Sequence, residues 1–403
     1  MSDHDGRPTG QHRFLVFTEL FLPTKGGTAV WFDEVYRRLG GKGIHILTAR
    51  IPGGDEYDRV HPNTIHRLNL ARHPWLRPSS LPAYLRLFFH GLRVGLRCES
   101  EAVHAGRVLP EGLVAWSVAR VIRRPVVIYA HGEEITTWRR SPRRLRAMRF
   151  AYRHADKLIA NSEFTRDELV KLGVDPDRIA IIHPGVDIDR FHPNHETSDL
   201  RARIGLGDEH KLILSVGRLS RRKGFDQVIA ALPRLVANGL DVHHVLIGIG
   251  EDRSYLEGKA REHGVVERVH FLGHVESVDL PRWYCAADVF AMPNRDIDGD
   301  TEGFGMVFVE AAACGTPSIA GIAGGTEGAV EDGVTGWRVD GTDLEAVARA
   351  LNALLGDRSL CSKMGLSGAA RARKYFSWNA VAERTVRLTE DVARELAGDI
   401  MRG

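Results

Sequence analysis

Residues 289–320 read VFAMPNRDIDGDTEGFGMVFVEAAACGTPSIA, and this stretch holds the pattern that decides the fold. Short apolar runs at 289–292 and 317–320 stand on either side of a glycine-rich turn and a helical segment. The order strand, turn, helix, strand is the unit of a parallel sheet that helices cover on both faces. We therefore predict an α/β fold.

The same alternation runs along the rest of the 403 residues, a length that fits two domains. Further strands are predicted at 14–17, 44–47, 126–129, 157–160, 212–216, 244–247 and 269–272. Helices are predicted at 28–39, 165–172, 225–237, 280–287, 344–355 and 378–395. The polar, proline-containing segment 191–198 separates the two series and marks the expected change of domain.

Two carboxylates, Glu302 and Glu310, flank the glycine turn eight positions apart. At ~100° per residue they would stand about 80° apart around a helix and face one pocket. The amides of Gly303 and Gly305 lie at a helix start, where free N–H groups attract oxygen-rich ligands. Amides for phosphate and carboxylates for hydroxyls suit a phosphorylated sugar.

A second glycine ends the predicted strand 212–216 and is followed by basic residues. Gly217 precedes Arg218, and Lys223 belongs to the same loop. Two cations at the carboxyl end of a strand suit a diphosphate that gains charge as a bond to it breaks. The alternative is loop charge that faces solvent, which we expect for some of Arg221, Arg222 and Lys223; Arg218 is favoured because it directly follows the glycine.

The first half of the chain offers two weaker signals. Gly26 and Gly27 follow the first strand and open a helix, where amides meet a ligand phosphate, or where a tight turn simply needs glycine. His131 lies just past the strand 126–129 and could contact a sugar hydroxyl. By itself, a capping or core histidine is the favoured interpretation.

The charge is unevenly spread although the net charge is only +3. Seven arginines and no acidic residue lie between Arg139 and His154. From Ser141 and Pro142 onward the pattern is helical, with an apolar face of Leu145, Met148 and Tyr152 and a basic face around Phe150. Such a helix suits an anionic membrane surface, and a solvated helix face is an equally good interpretation.

Other features mainly exclude functions. No run approaches the ~20 apolar residues that cross a bilayer. Four cysteines without a CxxC pair indicate a reducing cytoplasm. The acidic loop 296–300 lacks the spacing of a calcium-binding loop, and no metal site is predicted. The first dozen residues are expected to form a loose tail and not a signal peptide.

Taken together, several motifs resemble the family-4 retaining glycosyltransferases: E302-x7-E310 with the trailing ACGTP, the GR-x4-KG segment at 217–224, HPGVD at 183–187 and NSEFT at 161–165. The likeness spans residues 14–378. It implies a GT-B fold, in which two Rossmann-like, doubly wound parallel-sheet domains face an interdomain cleft. The expected N-terminal acceptor-side domain is 1–193 joined by a C-terminal helix 376–403, and 194–375 is the nucleotide-sugar-binding domain.

The resemblance also implies roles for individual residues. Glu310 would hold the donor ribose and Glu302 the sugar hydroxyls, while Arg218 and Lys223 contact the diphosphate and His131 the transferred hexose. The remaining donor-binding residues would be Gly26, Gly27, Gly217, Val275, Gly303, Phe304, Gly305 and Met306, several of them through backbone. The chain departs from the family pattern at 324–328, GGTEG, which puts a local helix start in doubt.

The expected activity is retaining, metal-independent transfer of a hexose from a GDP- or UDP-linked donor to a lipid-linked, saccharide or small-molecule hydroxyl. Mannose is slightly preferred, no cofactor or nucleic acid is implied, and the enzyme would be cytoplasmic and peripheral on the inner membrane leaflet through Arg139 to Arg153. The alternatives are a sugar-nucleotide epimerase of GT-B fold, which needs no acceptor, and a non-catalytic nucleotide-sugar-binding protein.

Overall fold

The computed structural model describes residues 12–24, 26–70, 81–207 and 209–402, so all but the last residue of the expected tail lies outside it. The chain folds into two compact units. The first is formed by the described parts of Met1–Asn161, Thr165–His183 and Trp378–Gly403. The second is formed by the described parts of Ser162–Phe164 and Pro184–Ser377.

This division begins the second unit ahead of the expected boundary at 193/194, at Pro184. Phe191 is buried in the core of the second unit, where its ring meets that of Tyr284 edge-on at 5.9 Å. The amide of Val186 donates to the carbonyl of Phe376 at 2.7 Å. The start of the polar, proline-containing segment is therefore packed into the second unit and is not an exposed linker.

The first unit is built on seven parallel strands in the order β3-β2-β1-β4-β5-β6-β7. The strands are β1 (Phe14–Phe17), β2 (His45–Ala49), β3 (Thr64–Leu68), β4 (Ala102–Ala105), β5 (Val126–Ala130), β6 (Lys157–Ala160) and β7 (Ile179–Ile181). The helices are α1 (Gly27–Tyr36), α2 (Gly54–Val60), α3 (Leu81–Gly95), α4 (Leu113–Ile122), α5 (Glu133–Trp138), α6 (Pro142–His154) and α7 (Glu163–Lys171). The central strands are fully buried, as strands covered on both faces must be.

The second unit has six parallel strands in the order β10-β9-β8-β11-β12-β13. They are β8 (Lys211–Val216), β9 (Val242–Ile247), β10 (Val269–Gly273), β11 (Val289–Met292), β12 (Ser318–Gly321) and β13 (Gly336–Val339). The helices are α8 (Ser198–Arg203), α9 (Phe225–Ala237), α10 (Arg253–Glu262), α11 (Asp279–Ala286), α12 (Met306–Ala313), α13 (Leu344–Gly356) and α14 (Arg358–Tyr375). The two sheets confirm the predicted pair of doubly wound α/β domains.

The last helix, α15 (Trp378–Arg402), follows the second unit in sequence but belongs to the first. It packs against α1, with Val381 and Val392 buried. The hydroxyl oxygen of Thr389 lies 3.3 Å from Nε2 of the buried His104 on β4. None of the described helices is both long and apolar enough to cross a membrane.

In both sheets all strands are parallel, but the order in which the chain adds them reverses between two central strands. In the first sheet the reversal lies between β1 and β4, and in the second it lies between β8 and β11. Loops that leave the carboxyl ends of such neighbouring strands diverge and leave a crevice, which is where open α/β sheets bind ligands. We therefore expect a ligand site in the second unit at the residues after β8 and β11, and one in the first unit at the residues after β1 and β4.

Candidate active site

Glycines bring the loops of the second sheet into contact. Gly217 follows β8 with φ 149°, and Gly248 follows β9 with φ 146°. A Cβ on Gly248 would stand 1.8 Å from the carbonyl oxygen of Gly217, so no other residue fits there. A Cβ on Gly224 would stand 2.0 Å from the carbonyl oxygen of Pro293, after β11. The backbone itself thus closes the loops around the reversal point.

An acidic and two basic side chains meet at this point. Lys223 Nζ lies 2.6 Å from Glu302 Oε2, and Arg222 Nη1 lies 2.9 Å from the same oxygen. Burial alone would raise the pKa of Glu302, but Lys223 and Arg222 outweigh it and lower the pKa below its ordinary value. Glu302 is therefore an anion whose Oε2 is fully engaged, and no described hydrogen bond reaches its Oε1.

Glu302 reaches this position from a loop, which corrects the helical geometry expected from the sequence. Helix α12 begins only at Met306, after Gly305 with φ 86°, so an angle of about 80° around a helix does not describe the pair with Glu310. The carbonyl of Glu302 accepts from the amide of Gly325 at 2.8 Å, and a Cβ on Gly324 would stand 2.1 Å from that carbonyl oxygen. The departure at 324–328 forms a turn that holds Glu302, with no helix starting there.

Glu310 lies on α12, and its partner is a residue that the sequence did not indicate. Tyr284, on α11, donates its hydroxyl to Glu310 Oε2 at 2.8 Å. Burial raises the pKa of Glu310, an effect that Tyr284 partly offsets. As with Glu302, no described hydrogen bond reaches Oε1. Each carboxylate thus has one oxygen held by the protein and a second oxygen that receives no hydrogen bond among the described residues.

The arginines of the loop after β8 differ in burial and in partner. The Arg218 side chain is 71% exposed and pairs with Glu251 at 3.0 Å. The Arg222 side chain is only 16% exposed and contacts Glu302, whereas the Arg221 side chain is 57% exposed, so of these two arginines it is Arg221 that faces solvent. The alternation of side chains in a loop has no fixed period, which is why spacing from Gly217 did not separate them.

The other residues of the second unit that are predicted to bind the donor lie around the start of α12 and after β10. The ring of Phe304 is buried 6.0 Å from that of Phe376, so its amide and not its side chain is open to a role. Gly303, Gly305 and Met306 lead into the N-terminus of α12. Val275 follows β10 and packs partly buried on the core. These positions keep their predicted backbone roles as expectations.

In the first unit, Gly26 and Gly27 stand where β1 passes into α1. Gly26 is the N-cap of α1 with φ 142°, a conformation that favours glycine, and a Cβ there would meet nothing within 4 Å. Backbone strain and not crowding therefore calls for glycine. Both residues are exposed, so the first amides of α1 are open to an anion.

His131 is fixed from three sides at the end of β5. Its Nε2–H donates to the carbonyl of Gly106 at 2.7 Å, which leaves Nδ1 as an acceptor. Its amide donates to Glu134 at 2.9 Å, and Glu134 also accepts from Tyr152. The ring of Trp31 meets the imidazole edge-on at 5.6 Å. In this arrangement Nδ1 of His131 can accept a hydrogen bond from a ligand hydroxyl.

Glu111 is a second residue that the sequence did not indicate. It lies after β4 and accepts from the amide of Glu19, after β1, at 2.9 Å. It therefore spans the reversal point of the first sheet. Its Oε2 is buried without a hydrogen bond among the described residues, and burial raises its pKa to about 7. An isolated glutamate after a proline carries no pattern that would have revealed it.

Only one trio among the described residues has metal-ligand spacing: His210, Asp241 and His243. The amide of Gly207 donates to His210 Nδ1 at 2.9 Å, so Nε2 carries the proton of the neutral ring. Metal-bound histidines show the opposite pattern, because their second nitrogen donates. Arg268 also lies 2.5 Å from Asp241. This donor set does not fit a divalent ion.

The sequence matches two families over most of its length. Residues 25–190 match the family described as Glycosyltransferase Family 4, and residues 196–371 match Glycosyl transferases group 1. Among the relatives is a GDP-mannose-dependent alpha-(1-6)-phosphatidylinositol monomannoside mannosyltransferase of Mycolicibacterium smegmatis, 33% identical over 93% of this chain and 97% of the relative. A D-inositol 3-phosphate glycosyltransferase of Geodermatophilus obscurus is 32% identical over 92% of this chain and 86% of the relative.

Solved structures share the fold at lower identity. HepE of Anabaena in complex with UDP superposes with a TM-score of 0.80 at 21% identity, covering 94% of this chain and 100% of that one. A glycosyltransferase of Rickettsia africae gives a TM-score of 0.77 at 16% identity, covering 95% of this chain and 98% of that one. With the two sheets and the two sequence matches, these findings show that the chain belongs to the family-4 glycosyltransferases of GT-B fold.

Proposed function

We propose that the protein is a retaining, metal-independent hexosyltransferase that uses a nucleotide diphosphate sugar, with GDP-mannose preferred, and a lipid-linked hydroxyl acceptor. The buried cluster of Lys223, Arg222 and Glu302 at the reversal point of the second sheet carries this proposal. A cation pair and a carboxylate with one open oxygen offer contacts to a diphosphate and to the sugar beside it.

The donor roles follow from the chemistry of each group. Lys223 has three N–H donors and uses one on Glu302, so it can also donate to a diphosphate oxygen. Arg218 is exposed and can exchange Glu251 for the diphosphate. Glu310 would accept from the ribose hydroxyls with Oε1. The amides from Gly303 to Met306 would face the sugar, and Nδ1 of His131 would accept from a hexose hydroxyl.

Transfer then proceeds without a protein nucleophile. The acceptor oxygen attacks the anomeric carbon on the face that the diphosphate leaves, the bond from that carbon to the phosphate oxygen breaks, and the acceptor proton passes to the departing phosphate. Arg218 and Lys223 stabilise the charge that develops, and each such contact contributes ~3 kcal/mol. Neither a resident metal nor a cofactor enters this scheme.

The choice of sugar, acceptor and stereochemistry rests on the relatives. The mannosyltransferases of Mycolicibacterium smegmatis and Corynebacterium glutamicum, 33% and 32% identical, are named for GDP-mannose and for an α-linked phosphatidylinositol mannoside. A donor with an α-linked mannose gives an α-linked product only with retention. The names of these relatives therefore support mannose, retention and an acceptor held in a lipid.

A lipid acceptor also supports a peripheral, cytoplasmic location on the inner membrane leaflet, with contact through Arg139 to Arg153. In the structure α6 buries Met148 and Tyr152, as expected from the sequence, and leaves Arg143, Arg146, Arg149 and Arg153 exposed. Among the described residues no ion pair involves these four arginines, whereas Arg139, ahead of the helix, is paired with Glu168.

Thermal-shift measurements with GDP-, UDP- and ADP-sugars test the proposal, because a ligand stabilises the protein that binds it. We expect the largest shift with GDP-mannose, and incubation with a phosphatidylinositol mannoside should then give an α-linked product by NMR. An inverted product would refute retention. Epimerised sugar from donor alone would favour an epimerase, and tight donor binding with no conversion would favour a non-catalytic binding protein.

A further inference from the structure

Three helices of the first unit form one layer. After β3 the chain moves to β4, β5 and β6 in one direction across the sheet, and right-handed crossovers put the connecting helices on the same face. Accordingly, α4 packs against α3 and against α6. The path from β1 to β3 runs in the opposite direction, which puts α1, and α15 packed on it, on the other face. We call α3, α4 and α6 the three-helix layer.

The three-helix layer contains eight arginines and no aspartate or glutamate. Ordinary surface helices mix both signs of charge. The neighbouring α5 and α7 carry acidic residues, so the absence of acidic residues is a property of α3, α4 and α6 and not of the whole helical face. Among the described residues, Arg120 is the only arginine of the layer that forms an ion pair, with Asp156 at 3.2 Å. The other seven arginines of the layer therefore form no ion pair among the described residues.

Apolar side chains also point outward from this layer. Helix α3 buries Ala83, Leu87 and Val94 and exposes Leu85 and Phe89 on its other side. Phe89 is 63% exposed, and Leu96, in the turn after the helix, is 67% exposed. Val121 of α4 and Phe150 of α6 add two more exposed apolar side chains. Large apolar groups flanked by arginines are typical of helices that lie in a lipid headgroup region.

The end of α6 adds a place for phosphate. A shallow cavity of about 430 Å³ is lined by Arg146, Arg149, Phe150, Arg153 and His154. The rings of Phe150 and His154 stack at 4.2 Å, and His154 Nδ1–H donates to the carbonyl of Phe150. Guanidinium groups around a stacked aromatic pair suit a lipid phosphate, because a guanidinium binds phosphate through two N–H groups.

We propose that the whole three-helix layer, and not α6 alone, docks flat on an anionic lipid bilayer. Leu85, Phe89 and Leu96 enter the headgroup boundary while the arginines of α3 and α6 contact lipid phosphates. This inference deepens the membrane contact proposed above and rests on it. It adds α3 and α4 to the surface, and it identifies the partner by charge and apolar complementarity.

Sedimentation with vesicles tests the layer directly. We compare vesicles of phosphatidylcholine alone with vesicles that also contain phosphatidylglycerol, at low and high salt. The wild-type chain should bind the anionic vesicles at low salt. The Leu85→Gln, Phe89→Gln variant should bind about tenfold more weakly, because apolar burial is lost. The Arg93→Glu, Arg146→Glu variant should bind about 30-fold more weakly at low salt and less so at high salt.

Matched controls use residues outside the layer. Val278→Gln with Leu366→Gln changes two similarly exposed apolar residues of the second unit, and Arg387→Glu reverses a charge on α15. All controls should bind as wild type. The nucleotide-induced thermal shift is measured on every variant, so a failure of donor binding is seen separately from a failure of docking.

Two results would overturn the proposal. One is equal vesicle binding by wild type and the Leu85→Gln, Phe89→Gln variant, since α3 then has no part in docking. The other is binding of a single-stranded oligonucleotide without binding of anionic vesicles, since the partner of the basic layer is then a nucleic acid.

Discussion

Lys223 is a buried lysine that contacts one carboxylate, Glu302, and Glu302 in turn contacts two cations. A donor diphosphate would bring two or more negative charges to this cluster. Lys223 and Arg222 can bind these charges without rearrangement, because both side chains already lie against the same carboxylate oxygen. The cluster is thus organised before the donor arrives, which is how charge stabilisation lowers a barrier most.

Lys223→Ala tests this organisation. Turnover should fall about 100-fold, since one contact to the departing diphosphate is lost. The sequence alone suggested an intact fold, but the structure adds a stability cost of about 1–3 kcal/mol, because Glu302 keeps only Arg222 as a partner. Initial rates at saturating donor and thermal unfolding measure the two effects, and near-normal turnover would refute the assignment.

A variant in the same loop serves as the control for Lys223→Ala, and the stability of both proteins should depend on pH. Arg221→Ala, in the same loop but exposed and paired with Asp252, should leave turnover and stability nearly unchanged. The pKa of Glu302 is lowered in the folded protein, so its stabilisation is present above the ordinary pKa of 4.5 and lost as pH falls through the lower folded value. The stability difference between wild type and Lys223→Ala should therefore shrink in acid.

Tyr284→Phe tests the hydroxyl that holds Glu310. Donor affinity should fall about tenfold, because a buried carboxylate loses its donor. Burial raises the pKa of Glu310 and Tyr284 lowers it, so removing the hydroxyl raises that pKa further. As the pH is lowered, the affinity for the nucleotide should therefore begin to fall at a higher pH in the variant than in the wild type. Nucleotide titrations across pH measure this, with Tyr255→Phe as control; an unshifted profile would contradict the role of Glu310.

Glu111→Gln addresses the buried glutamate of the first unit. The pKa of Glu111 is about 7 in the folded protein and 4.5 for an ordinary glutamate. Between pH 4.5 and about 7 the folded state therefore holds a proton on Glu111 that the unfolded state lacks. Wild-type stability should then fall as pH rises from about 4.5 to 7. Glutamine keeps the bond from Glu19 without the charge, so the variant should be more stable by about 1–3 kcal/mol at about pH 8 and similar at about pH 4. Equal stability in the alkaline measurement would contradict this account.

At the scale of elements, the sequence predicted the apolar strands and the strongly periodic helices. β1, β6 and β11 begin and end at the predicted residues, and so does α9. It did not predict β3, β4, β7 and β13. β3 reads TIHRL and β4 reads AVHA, so polar residues interrupt their apolar pattern. Their pairing in the sheet decides their conformation, and local sequence does not carry that information.

The site shows the same division between local and distant information. The loop glycines, Glu302 and Lys223 stood out in the sequence because they lie in loops that follow strands of the second sheet, while the donor-binding roles of Glu310 and Arg218 stay predictions. Arg222, Tyr284 and Glu111 did not stand out, since each is defined by a partner at least 26 residues away. Contacts over such separations become visible only when the strands are ordered in a sheet.

Gly305→Ala tests the element that carries Glu310. Gly305 has φ 86°, and a Cβ there would stand 2.6 Å from the ring of Phe308. We expect a loss of stability of about 1–3 kcal/mol and a larger loss of donor binding, because the first turn of α12 shifts. Gly356→Ala, where a Cβ meets nothing within 4 Å, is the control and should be neutral. Unchanged donor affinity in Gly305→Ala would exclude the start of α12 from the site.

At the scale of the whole molecule, α15 makes the first unit depend on residues that follow the second. Val381→Asp puts a charge into its buried face and should destabilise the first unit by about 4 kcal/mol or more. Hydrogen exchange should rise in β1 and β4 while the strands of the second unit stay protected. Arg387→Glu, on the exposed face, should change neither. Uniform loss of protection in both units would show that α15 is not specific to the first.

The position of α15 has a further consequence during synthesis. A ribosome releases β1 to β7 first, then the second unit, and α15 only afterwards. Until then the hydroxyl of Thr389 cannot reach His104, and α15, with its buried Val381 and Val392, cannot pack against α1. The second unit is continuous in sequence apart from Ser162–Phe164, so its own packing can be completed as soon as Ser377 has emerged. The nascent chain is thus expected to mature from its middle, and the half made first is the last to become native.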